Sequence, residues 1–135
     1  MWMRSKSFPL FIVALGLLDV AHIVATDFYL YWTYLWLDIP MHALGGAVVA
    51  LGFLTCCARY ARVDFWRGFL VTLGAVITVG VAWEVFEYMT GIADSEPGYV
   101  GDTILDLIMD IFGGCVGYLA ARARERSSSQ SLSDL

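Results

Sequence analysis

The sequence predicts an all-α integral membrane protein, a four-transmembrane-helix bundle with both termini cytoplasmic. Three observations carry that prediction. Apolar residues make up 59% of the 135-residue chain and charged residues only 16%, against about 45–50% and about 25% in soluble domains. Four separate apolar runs come close to or exceed the roughly 20 residues that cross a bilayer. The eight basic residues fall in only three places along the chain. A mean hydropathy of +0.70 excludes a disordered chain, a nucleic-acid binder and an ordinary water-soluble enzyme. The net charge of −5 matters less than where each charge lies.

The first span is expected over residues 8–26. Arg4 and Lys6 precede it, as in a secretory signal, but Asp19 interrupts the apolar stretch and no clean small-residue cleavage site follows, so the span is expected to stay. The next segment, residues 28–37, holds Phe28, Tyr29, Tyr31, Trp32, Tyr34 and Trp36. Tyr and Trp favour the headgroup level, so this segment reads as an interfacial collar or an extension of the first helix. Residues 28–58 are too few for two crossings. The second span is expected over 39–58, the third over 65–89 and the fourth over 100–121, all in one domain over residues 1–126. Residues 127–135 are serine-rich and read as a disordered tail. Cys56, Cys57 and Cys115 cannot form a paired framework. They read as small apolar residues, with lipidation of Cys56 or Cys57 as the alternative.

Orientation follows from the basic residues. Arg4 and Lys6 precede the first span, Arg59, Arg62 and Arg67 lie between the second and third, and Arg122, Arg124 and Arg126 follow the fourth. The positive-inside rule places all three groups in the cytoplasm, here at the plasma (inner) membrane of a prokaryote. Reporter fusions at Arg62 and after Arg126 are therefore expected to read cytoplasm, and one at Ser95 the outside. A cytoplasmic Ser95 overturns the orientation.

The acids follow another pattern. Asp19 and His22 lie three apart, Asp38 and His42 four apart, Glu84 and Glu87 three apart, and Asp102, Asp106 and Asp110 at four-residue steps. Each spacing puts its members on one helix face. Three of these faces carry small residues nearby: Gly45 and Val49, Gly80, and Gly113 and Gly117. Small residues mark close helix packing in membranes, so the acidic stripes are expected to face the bundle interior. With alternating helices, every span brings acids or an imidazole to the outer half of the bundle.

The cost is large. A carboxylate at mid-membrane costs about 3 kcal/mol on insertion scales, and seven such groups reach on the order of 20 kcal/mol, above the roughly 5–15 kcal/mol of a typical fold. No Lys or Arg is expected at that level. Either protons neutralise several acids, or divalent cations bind among them. Carboxylates with one or two imidazoles suit Mn, Fe, Zn or Mg, in the manner of dimetal helical bundles. Asp38, His42, Glu84, Glu87, Asp102, Asp106 and Asp110 are the expected metal ligands, with Glu84, Glu87 and Asp106 also candidates for catalysis. Asp102 and Asp38 can alternatively cap their helices, Glu87 can reach the interface, and His22 can be a core histidine. Asp27, Asp94 and Glu96 read as solvated loop acids, and Asp64 sits among the cytoplasmic arginines.

The segments DIPMHALGG (38–46), AWEVFEY (82–88) and GDTILDLIMDIFGG (101–114) resemble the YjdF-like family of small bacterial and archaeal membrane proteins. They are similar, more distantly, to the VanZ-like family, where Gln often stands at the place of Glu87 and Asn at that of Asp110. The resemblance implies a polytopic membrane protein and marks the same seven residues as functional.

Three functions compete. A membrane metalloenzyme would hydrolyse an amphipathic or lipid-linked substrate through metal-activated water, with a spare carboxylate as general base. No nucleophilic Ser or Cys lies at the acidic level, and Thr103 is expected to face away from the aspartates. An ion- or proton-coupled carrier would also use intramembrane acids, although they lie in one leaflet. A structural accessory protein would use metal only to hold the bundle. The expected partners are the bilayer, an amphipathic or lipid-linked substrate and a second copy meeting Gly-rich helix faces, with no nucleic acid.

Overall fold

The structure, a computed structural model, describes residues 5–91 and 98–133, with side chains described as far as residue 126. Arg4, Asp94, Ser95 and Glu96 lie outside the described residues. Five α-helices follow in order: α1 (Phe8–Asp27), α2 (Leu30–Thr33), α3 (Asp38–Cys56), α4 (Phe65–Thr90) and α5 (Tyr99–Ser133). Short 3-10 turns, Leu35–Leu37 and Ala58–Ala61, join α2 to α3 and α3 to α4. No strand occurs among the described residues. Four helices are long and apolar enough to cross a membrane, with α3 counted from Leu35 and α5 as far as Arg126.

Each boundary has a local cause. Pro9 sits in the first turn of α1, where its missing N–H costs nothing. After Asp27 the chain turns at Tyr29, whose φ of 54° is left-handed, and the aromatic segment folds as the separate short α2. Phe28, Tyr29, Trp32 and Trp36 remain more than half exposed, as a headgroup-level collar needs. Asp64 caps α4, its carboxylate accepting hydrogen bonds from the backbone N–H groups of Trp66 and Arg67. Gly91, at φ 72°, closes that helix in the left-handed conformation, which only glycine adopts without cost. The last helix runs past the expected end at 121 and through the serine-rich segment to Ser133. The Ala, Arg and Glu residues of 120–126 are strong helix formers, and no Gly or Pro follows to stop them.

The bundle is uneven. α3 and α5 form its most extensive interface, α4 packs on both, and α1 is attached to α3 with little contact to α4. Close approach of α3 and α5 requires glycine. A Cβ at Gly113 would strike the carbonyl oxygen of Ala43, and one at Gly46 that of Asp110.

The apolar core lies at the end of the bundle that carries the arginines. Leu51, Leu54, Ala61, Tyr118 and Ala121 form it, with Phe11, Phe65 and Phe69 packed around. The Tyr118 hydroxyl donates to the Phe65 carbonyl at 2.9 Å. Arg122 donates to the Val63 carbonyl and to the Tyr118 hydroxyl, both at 3.0 Å. Arg62 pairs with the buried carboxylate of Glu125 at 3.0 Å. This end is cross-tied by aromatic rings, hydrogen bonds and the Arg62–Glu125 ion pair.

Candidate metal centre

The opposite end is built around His42. Gly46 and Gly113 bring the α3 and α5 backbones together, and Asp106 and Asp110 then lie beside the imidazole. Its Nδ1 is 3.4 Å from Oδ1 of Asp110. Its Nε2 is 3.7 Å from Oδ2 of Asp38 and 3.9 Å from Oδ1 of Asp106. One ring thus presents one nitrogen to a single carboxylate and the other to two. From α4, Glu84 and Glu87 reach the same ring. His42, Glu84 and Glu87 each offer a ligand atom within 4.8 Å of the others, as do Asp38, His42 and Asp106.

Most of this lies in the interior. His42, Glu84, Asp106 and Asp110 are each more than nine-tenths buried. Oε1 of Glu84 and Oδ1 of Asp106 are fully buried and make no hydrogen bond. A buried polar atom without a partner carries its full desolvation cost, about 1–3 kcal/mol and more if charged. By position along the helices, the described basic residues all lie at the far end. Five carboxylates surrounding one imidazole, two of them with orphaned oxygens, fit a divalent cation. The donors are the oxygen and nitrogen ligands that Mn, Fe, Zn and Mg accept.

Of the seven expected ligands, six come together and Asp102 does not. Asp102 is exposed in the first turn of α5, where a carboxylate interacts well with the helix dipole, and it joins neither ligand group. At 3.6 residues per turn each four-residue step advances about 40° around the helix, so a stripe of three aspartates cannot hold all its members on one target. Thr103, expected to face away, has a buried hydroxyl beside the Glu84 carboxylate, although neither Oγ1 nor Oε1 completes a hydrogen bond there. Asp19 and His22 of α1 stand apart from the His42 cluster.

Tyr31 was hidden in the aromatic collar. Its hydroxyl lies 3.0 Å from Nδ1 of His22. Burial first, then the charges of Asp38 and Glu87, raise its phenol above the ordinary value, so Tyr31 meets the imidazole as a neutral phenol. Tyr31, His22 and Asp19 form one wall of a cleft of about 370 Å³ whose other side includes Asp38, His42 and Glu87.

Fold and site together define a small multi-pass integral membrane protein with a buried carboxylate–imidazole centre at one end of its bundle. The chain belongs to the family described as "Predicted membrane protein (DUF2238)", matched over residues 2–127. No curated protein and no solved structure matches it.

Proposed function

We propose that this protein is a metal-dependent membrane enzyme of hydrolytic type, acting on an amphipathic or lipid-linked substrate. Its place is the plasma membrane of a prokaryote, with the His42 end towards the outer face. The observation that carries the reading is the division of labour around His42. Nε2 faces Asp38 and Asp106, and Nδ1 faces Asp110. Histidines that hold metal through one nitrogen commonly donate the other N–H to a carboxylate, which fixes the ring and its tautomer. Asp38, His42 and Asp106, with Glu84, would hold the ion, and Asp110 would orient the imidazole. A bound divalent ion supplies Lewis-acid polarisation of the scissile ester or phosphoryl group. Glu87 is half-buried and lines the cleft, which suits it to move a proton as general base. The YjdF-like and VanZ-like resemblance rests on these same motifs.

A carrier is the weaker reading, because the arginine end is filled by the Leu54–Tyr118 core and closed by the Arg122 and Tyr118 hydrogen bonds. A second copy would meet faces other than those expected. Gly46, Gly80, Gly113 and Gly117 already pack inside the chain, whereas Gly16, Gly74 and Gly101 have open space around them.

Metal analysis is the test. Gently purified protein is expected to retain about one or two divalent ions per chain, with chelation lowering its melting temperature because ligand bound only to the native state stabilises it. His42→Ala is expected to abolish retention. Wild-type protein free of stoichiometric metal at neutral pH sinks the proposal and favours acids neutralised by protons.

A further inference from the structure

Thr103 carries a buried hydroxyl that the ligand set leaves without a role. The register between α4 and α5 fixes its place. The rings of Tyr88 and Tyr99 lie 6.1 Å apart between the two helices, and a Cβ at Gly80 would come within 3.3 Å of Cδ2 of Leu107. Glu84 lies four residues from both Gly80 and Tyr88, and Thr103 four residues from both Tyr99 and Leu107. A four-residue step is about one turn along the same helix face. Glu84 and Thr103 therefore form the middle rung of one antiparallel seam and face each other.

The direction of the hydroxyl is informative. A threonine inside a helix can satisfy its hydroxyl on the carbonyl four residues back. All three threonines of α4 do so: Thr72 donates to Gly68 at 2.8 Å, Thr78 to Gly74 at 2.7 Å and Thr90 to Phe86 at 2.9 Å. For Thr103 the same acceptor is the Tyr99 carbonyl, yet its Oγ1 is buried without a hydrogen bond. Across the seam, Oε1 of Glu84 is buried and also lacks one, in a residue more than nine-tenths buried. Each unpaired atom carries its desolvation cost in full, and a valine in place of Thr103 would fill nearly the same space without it. The two groups are complementary. A threonine hydroxyl has one hydrogen to give, and a carboxylate has about four lone-pair sites. Glu84 offers one oxygen to the group it forms with His42 and Glu87, which leaves sites for a donor from another side.

We propose that Thr103 is a positioning residue of the centre: its hydroxyl donates to Glu84 when that carboxylate holds the ion, and so fixes the direction in which the carboxylate points. The proposal rests on the metal reading of the site. Carboxylates that ligate metal are themselves hydrogen-bonded, and losing such an outer partner costs about 10–100-fold in metal affinity. A carboxylate kept ionised by a cation is also the stronger acceptor. Thr103 acts through Glu84 and touches no ion itself.

The test is divalent-ion affinity, with Mn2+ as the probe, measured on the full-length protein in detergent by competition with a chelator of known affinity. Thr103→Val keeps the shape and removes the donor, and is expected to weaken Mn2+ binding by about 10–100-fold. Thr103→Ser restores the donor and is expected to bind within about threefold of wild type. Stripped of metal, Thr103→Val is expected to melt at or above the temperature of stripped wild type, because an unpaired buried hydroxyl has gone; a role in packing alone would lower it. Thr78→Val, whose hydroxyl serves its own helix, is the control and is expected to keep wild-type affinity. Unchanged Mn2+ binding in Thr103→Val, no recovery in Thr103→Ser, or a stripped Thr103→Val that melts well below stripped wild type overturns the proposal while the metal reading stands. Wild-type protein that binds no divalent ion overturns both.

Discussion

Asp106→Asn is expected to strip the protein of its divalent metal and to lower its stability by about 3–4 kcal/mol, the stabilisation that a ligand present at about 100–1,000 times its Kd supplies. The carboxylate faces Nε2 of His42 and one of its oxygens is buried without a partner. An amide of the same shape is an uncharged, poorer ligand. Asp110→Asn is expected to be milder, lowering metal affinity by about 10–100-fold, because Asp110 faces the other ring nitrogen. Asp102→Asn is the control: exposed and outside both ligand groups, it is expected to change neither metal content nor melting temperature. Metal content is read by elemental analysis and stability by thermal melting in detergent. Full occupancy in Asp106→Asn places the metal elsewhere. A melting temperature that rises in both Asp106→Asn and Asp110→Asn indicates acids held neutral by protons.

The second large effect is steric. Gly113→Leu is expected to destabilise the bundle by about 3 kcal/mol or more, at the upper end of overpacking costs. The new Cβ meets the Ala43 carbonyl, and backbone cannot swing aside as a side-chain tip can. Because that contact sets the distance between α3 and α5, metal retention is expected to fall as well. Gly74→Ala is the matching control on α4, with nothing near the added carbon, and is expected to be neutral or to stabilise by up to about 1 kcal/mol through helix propensity. Wild-type melting of Gly113→Leu contradicts the α3–α5 contact.

The spans were legible because hydropathy and the placement of arginines are one-dimensional signals. The acidic centre was largely legible too, since spacings of three and four put Glu84 with Glu87, and Asp106 with Asp110, on single faces. What spacing cannot tell is where a stripe leaves its target. Asp102 and Asp106 are as regularly spaced as Asp106 and Asp110, and only helix packing decides that Asp102 faces out. Tyr31 was illegible for another reason. Its approach to His22 depends on the left-handed turn at Tyr29, a conformation that favours Gly, Asn or Asp and that a run of aromatics does not announce. The Arg62–Glu125 pair spans 63 residues, and nothing local in the sequence links the two.

The two ends of the bundle differ in how much holds them, and the consequence is mechanical. Aromatic packing, the Tyr118 and Arg122 hydrogen bonds and the Arg62–Glu125 pair act as a fulcrum. Beyond it α1 leans chiefly on α3, with little contact to α4, like one arm of a peg. Swinging that arm outward breaks few contacts, and segments with few buried contacts open at low free energy. Admission of a hydrocarbon chain beside His42 then needs only this one arm to move, while the α3–α5 seam that fixes the carboxylates stays shut. Amide exchange would register this as fast opening around Asp19 beside slow opening around Leu54.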